Sequence, residues 1–207
     1  QSWSDLVALL LRNVDQHHDE PSEQKAILKR IARLFEDMLQ DSEQAVESLR
    51  TVLELDDRDA DAIDGLERLY QNLGRWQDLL EVLRLKLALT EEVEAQKAIL
   101  RTIGETFEVQ LKDPHGAVET YQEILVLDDQ DLEILGRMDQ LFEVLEQWDD
   151  QLECMIQQLA CVEGDESKTS PRFRIAHLRD KHLDDGEGAI VGYAEILTPE
   201  PQHEQTL

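Results

Sequence analysis

Apolar residues recur along this chain at intervals of three and four. Ile27, Ile31, Leu34, Phe35 and Met38 fall on one helical face, and Ile63, Leu66, Leu69, Tyr70 and Leu73 on another, which is the spacing of amphipathic α-helices. The alternation at two that marks a half-buried strand is absent. Helix punctuation brackets these stretches: Asp41, Asp113 and Asp185 stand as N-caps, Pro114 takes a first helical position, and Gly74 closes a helix ahead of Trp76. The pattern predicts helices over about 2–17, 22–39, 42–55, 59–73, 75–90, 92–111, 114–127, 130–146, 147–163, 169–183 and 186–197.

The pattern also repeats. Asp41–Asp57 reads DSEQAVESLRTVLELDD; 72 residues on, Asp113–Asp129 reads DPHGAVETYQEILVLDD, and Asp185–Pro201 reads DGEGAIVGYAEILTPEP. Ala45, Ala117 and Ala189 coincide, then Val46, Val118 and Ile190, then Leu49, Tyr121 and Tyr193, then Leu53, Leu125 and Leu197. At the same offset Tyr70 matches Phe142, Leu73 matches Leu145 and Trp76 matches Trp148, while Trp3 opens a similar segment one residue out of step. The tryptophans, held in place by the repeat, are expected to pack between hairpins with Val82, Leu80 and Leu152. The units run over about 1–57, 58–129 and 130–201 of a single domain spanning 1–207.

Four helices in 72 residues make two helix hairpins averaging 36, close to the roughly 34 of a tetratricopeptide repeat. The residues resemble that family directly. Ile103, Gly104 and Phe107, like Ile31, Ala32 and Phe35, match the large, small and aromatic positions of its first helix. Ala117 and Tyr121, like Ala189 and Tyr193, match its second helix, and Pro201 matches the turn proline. Asp57 and Asp129 replace that proline elsewhere, Glu67 and Asp139 stand at the small position, and Arg179 replaces the aromatic, so a looser last hairpin is expected. The resemblance implies an all-α, right-handed superhelical solenoid of antiparallel hairpins, about ten or eleven helices in all, and a protein-binding scaffold. A related class of longer helical hairpins is the structural alternative.

Charge narrows the range of partners. Forty-seven acidic against 20 basic side chains give a formal charge of −27, a field that repels phosphate backbones and favours basic protein surfaces. Nucleic acid is not expected as a partner. The longest apolar run, Leu6–Leu11, is far short of the roughly 20 residues that cross a bilayer, so membrane insertion is not expected either. Cys154 and Cys161, seven apart in one helix, would lie about 10 Å from each other, too far for a disulfide. Reduced thiols suit a cytoplasmic setting.

Chemical sites are weak against their packing alternatives. Asp57, Asp59 and Asp61 alternate like the opening of a calcium loop, but Ala62 stands where such a loop needs glycine and Arg68 where it needs glutamate. His17, His18 and Asp19, or His177 with His182, lack the spacing of a metal site. No nucleophile elbow, phosphate loop or zinc-protease motif is present. No catalytic residue, cofactor or metal is therefore expected.

The resemblance implies a groove lined by the first helix of each hairpin. Projecting outward-facing positions of those helices selects Lys29, Arg33, Asp61, Asp64, Arg68, Arg101, Glu105, Asp139, Glu143 and His177. Lys29, Arg33, Arg68 and Arg101 would form a basic stripe for an acidic peptide or a C-terminal carboxylate, or pair with neighbouring acids. The family's carboxylate clamp uses asparagine where Arg33 and Arg68 stand, so recognition of the chaperone-tail type is not implied. The expected function is a non-enzymatic scaffold for a peptide or protein of unknown identity. A spacer segment of a longer array, self-associating through exposed repeat ends, and a regulatory arm of a multidomain enzyme are the alternatives.

Overall fold

The computed structural model describes residues 2–17, 20–162 and 165–197. It consists of helices α1 (Trp3–Gln16), α2 (Pro21–Leu34), α3 (Ser42–Leu55), α4 (Ala60–Leu73), α5 (Trp76–Leu89), α6 (Val93–Glu105), α7 (Pro114–Leu127), α8 (Leu132–Val144), α9 (Trp148–Cys161), α10 (Asp165–Lys181) and α11 (Gly186–Leu197), with no strand among the described residues. None of these helices is long and apolar enough to cross a membrane. The residues group into two compact units, 1–99 and 100–207.

In the first unit α1 packs on α2, α2 on α3, α3 on α4 and α4 on α5. The stripe Leu28, Ile31 and Ala32 of α2 is buried, and Ile31 joins Val7 and Leu10 of α1 in a closed cluster. In the second unit α7 packs on α8, α8 on α9, α9 on α10 and α10 on α11. The repeat matches hold in the core: Ala45, Ala117 and Ala189 are all buried, as are Ile31, Ile103 and Ile175. They fail at the surface of the last copy, where Ile190 is 69% exposed.

The turns repeat more strictly than the side chains. Gln40, Lys112 and Asp184, 72 residues apart, all have left-handed backbone, with φ of 53°, 57° and 52°. Each precedes an aspartate whose amide bonds back to a carbonyl six residues earlier: Asp41 to Phe35 at 2.9 Å, Asp113 to Phe107 at 2.9 Å and Asp185 to Arg179 at 3.0 Å. Those aspartates then cap the next helix, accepting from the amides of Gln44, Gly116 and Gly188. The turn between α4 and α5 recurs in the same way. Gly74 (φ 67°) and Glu146 (φ 56°) occupy it, and Arg75 and Gln147 donate to Tyr70 and Phe142 at 2.9 Å.

Three features depart from the sequence expectation. The last turns of the helices begun by α2 and α6, Phe35–Leu39 and Thr106–Leu111, widen into π-helix, which no propensity signals. Helix α10 begins at Asp165, ahead of the expected 169, and runs through Pro171. The tryptophans are not core residues: Trp3 is 48% exposed, Trp76 and Trp148 are half-buried, and of their expected neighbours only Val82 is buried, Leu80 and Leu152 being half-covered. Trp148 does lie against the Met155, Ile175 and Leu178 cluster and stacks on His182, with ring centroids 3.9 Å apart. Each tryptophan follows the N-cap of its helix. Arg179, in the aromatic position of the last copy, is half-buried and donates to the Gly188 carbonyl. Pro201 lies outside the described residues.

Candidate partner-binding site

The first helices of consecutive hairpins are joined by ion pairs about one hairpin apart in sequence. On α2, Lys29 lies one turn from Lys25 and flanks the buried stripe, half-buried. Its ammonium donates to Asp59 at 3.0 Å and to Asp61 at 2.8 Å. Asp59 is itself the N-cap of α4, accepting from the Ala62 amide. Arg68 on α4 reaches back to Glu36 with both guanidinium arms, one bond measuring 2.8 Å. The second unit repeats the first of these contacts at equivalent residues: Arg101 on α6 pairs with Asp131, the N-cap of α8.

These contacts shift the titrations. The Lys29 ammonium is raised, chiefly by Asp61 against the opposing effect of burial. Burial would push the Asp59 carboxyl up, but Lys29, the Ala62 amide and Lys25 together hold it below its ordinary value. Glu36 is lowered, chiefly by Arg68.

Of the ten expected residues, five meet in the first unit. Lys29, Arg33, Asp61, Asp64 and Arg68 border a hollow of about 370 Å³ between α2 and α4, together with Ala32, Glu36, Leu49 and Gly65. Asp64 is 2.8 Å from Lys86 of α5. Arg33 is exposed, and no described residue pairs with it. So three of the four stripe cations, Lys29, Arg68 and Arg101, are bound to carboxylates, and Arg33 stands apart.

The remaining expected residues belong to the second unit. Glu105 accepts from Arg137 at 2.9 Å, Glu143 is exposed, and His177 is exposed and stacked on Phe173. Asp139, expected to face outward, is 4% exposed. It accepts from Gln151 at 2.8 Å and from Arg174 of α10 at 2.6 Å, since a buried carboxylate is tolerated only when paired.

Sequence projection missed Glu36, Asp59 and Gly65. The first two carried a signal, being acids 30 to 32 residues from a cation. Gly65 carried none.

The other candidate groups are simple. Cys154 is buried, its Sγ donating to the Leu135 carbonyl, and burial pushes its thiol up to about 11; Cys161 is half-buried. His17 lies 3.7 Å from Glu20, while His18 and Asp19 fall outside the described residues. Among the described residues no three His, Cys, Asp or Glu side chains gather as metal ligands would.

A family model described as "Tetratricopeptide repeat" matches residues 62–97. Solved structures resemble the chain at low identity. YrrB, titled "a TPR protein with an unusual peptide-binding site", is 15% identical, with 95% of each chain covered and a TM-score of 0.45. A MamA structure is 16% identical over 87% of this chain and 94% of that one, at a TM-score of 0.47. PilF of Pseudomonas aeruginosa is 14% identical over 99% and 96%, at 0.43. No curated protein matches the chain by sequence.

Proposed function

The chain is a tetratricopeptide-repeat protein, and from that premise we propose that it is a non-catalytic scaffold that binds a peptide or protein partner on the face formed by the first helices of its hairpins. A fold of this kind acts by protein–protein interaction in general. The observation that supports this particular face is the hollow between α2 and α4, bordered by charged side chains and left open by the chain itself. Cofactor and metal have no part in the proposal.

Reversing all four stripe cations would be a poor test. Lys29, Arg68 and Arg101 hold adjacent hairpins together, so their reversal would damage the fold along with the surface. Photo-crosslinking separates the two. A benzoylphenylalanine at Arg33 or Glu143, exposed on first helices, should capture a binding partner, and one at Glu47 or Glu119, exposed on second helices, should not. Mass spectrometry identifies the adduct. Capture of the same protein from Glu47 and Glu119 but not from Arg33 or Glu143 would assign binding to the opposite face and defeat the proposal.

A further inference from the structure

The two units hold corresponding helix pairs, α2 with α4 and α6 with α8, whose residues lie 72 apart. In the second unit a side chain of the chain itself reaches across between the pair. Arg137 on α8 donates to Glu105 at 2.9 Å and to the Tyr121 hydroxyl at 3.3 Å, and its guanidinium lies 3.4 Å from Glu108. Tyr121, fully buried, donates in turn to Glu108 at 2.8 Å. With Glu133 at 3.6 Å on its own helix, one arginine thus occupies a cradle of three carboxylates and a phenol.

In the first unit both the guest and the cradle differ. Gly65 stands at the position of Arg137, Leu49 at that of Tyr121, and Arg33 at that of Glu105. Glu36, matching Glu108, is engaged by Arg68. A Cβ on Gly65 would lie 2.7 Å from Leu49 Cδ1, so an apolar floor rises directly beneath the missing side chain. Of the acids around Arg137, Glu108 and Glu133 keep an acid in the first unit, as Glu36 and Asp61, and only Glu105 is replaced by a cation, Arg33.

We infer that the hollow over Gly65 receives an acidic side chain of the partner, a glutamate whose methylenes lie on Leu49 and Ala32 and whose carboxylate pairs with Arg33. This rests on the reading of the first-helix face as the binding face, and deepens it. The other charged side chains on the hollow are paired, Glu36 with Arg68, Asp61 with Lys29 and Asp64 with Lys86, which leaves Arg33 as the one unpaired charge among the described residues that border it. The acidic exterior, with its formal −27, repels polyanionic chains, so the recognised segment carries a single acid among neutral or basic residues.

The test uses three pools of blocked 11-residue peptides, with the central residue fixed as Glu, Gln or Lys and the flanks drawn from Ala, Ser, Leu and Lys. Binding is followed by NMR at the Gly65 amide and the Leu49 methyls. The Glu pool should bind about fivefold more tightly than the others, the ratio an accessible ion pair supports. Arg33→Glu, a change at an exposed side chain without partners, should place the Lys pool first. The triple variant Arg33→Glu, Leu49→Tyr, Gly65→Arg rebuilds the filled cradle of the second unit and should lose all discrimination, with a circular dichroism melt to show that it folds. Equal binding of the pools, a Lys preference in the unaltered protein, a Glu preference that survives Arg33→Glu, or no shift at Gly65 with any pool would overturn the inference. Equal binding with shifts confined to α2 and α4 would overturn the acidic preference and leave the scaffold proposal standing. Shifts confined to α3 and α5 would defeat the scaffold proposal as well.

Discussion

Gly74 and Glu146 form a matched pair on which the backbone account of the turns can be tested. Both have left-handed φ, 67° and 56°, at the same place in successive double hairpins, and both precede an amide bonded to a carbonyl five residues back at 2.9 Å. A side chain in this region costs about 1–2 kcal/mol through contact of Cβ with the backbone. Glycine offsets about 0.5–1 kcal/mol of that advantage through its freedom in the unfolded chain. Glycine is therefore favoured by roughly 0.5–1 kcal/mol at each position. Gly74→Ala should destabilise by that amount, because the added Cβ meets Trp76 only at 3.8 Å, an ordinary contact. Glu146→Gly should stabilise by the same amount, because the Glu146 side chain is exposed and no described residue pairs with it. In urea unfolding followed by circular dichroism, Glu146→Gly should raise the midpoint by about 0.2–0.5 M for an m-value of about 2 kcal/mol/M, with the slope unchanged. Gln40→Gly, Lys112→Gly and Asp184→Gly act at equivalent left-handed residues, and adding them to Glu146→Gly should give about 2–4 kcal/mol in total, since separated sites are nearly additive. A neutral or lowered midpoint for Glu146→Gly, with Gly74→Ala also neutral, would refute the reasoning.

Other perturbations follow from the packing and the ion pairs. Gly104→Ala would place a Cβ 2.2 Å from the buried Tyr121 ring, and should destabilise by about 1–3 kcal/mol in spite of alanine's better helix propensity; adding Tyr121→Leu, the Ala32–Leu49 pairing of the first unit, should recover part of the loss in the same urea assay. Asp59→Ala removes a helix cap together with the partner of Lys29, and should cost about 1–2 kcal/mol, whereas Asp59→Asn, keeping the cap, should cost less and lose its effect in high salt. Asp59 and Glu36 are both held below their ordinary values when folded. Their contribution is therefore complete above the usual carboxylate range and is lost as pH falls below about 4; the urea midpoint should drop there, and by less in Asp59→Asn. A thiol reagent at pH 8 should modify the half-buried Cys161 first and reach Cys154 only on unfolding, as a buried thiol raised to about 11 is neither accessible nor ionised.

Most of the helices were legible because an amphipathic stripe, a capping aspartate and a fixed interval say the same thing about each of them. Helix α10 was misjudged at its start because Pro171 reads as a boundary, although a proline within the first turns removes few backbone bonds. The left-handed turn at Gly74 is visible in the sequence and the one at Glu146 is not, except through the repeat that aligns them. The candidate site was legible only as a face. Which cations are engaged depends on partners one hairpin away, and projecting one helix at a time does not see them; Asp139 was misplaced for that reason. The hollow over Gly65 depends on a side chain that is absent, and shows only when the two units are compared.

The turn formed by Gln40 with Asp41, and again by Lys112 with Asp113, makes the chain a spliceable object. Removing residues 41–112 would join Gln40 to Asp113, and the helix ending at Leu39 would meet the same aspartate cap and the same six-residue backbone bond that it meets now. Removing one hairpin's length, α3 and α4 as residues 41–74, would join Gln40 to Arg75, which has no side-chain cap to offer α5. Insertions and deletions that keep this fold should therefore come in whole pairs of hairpins.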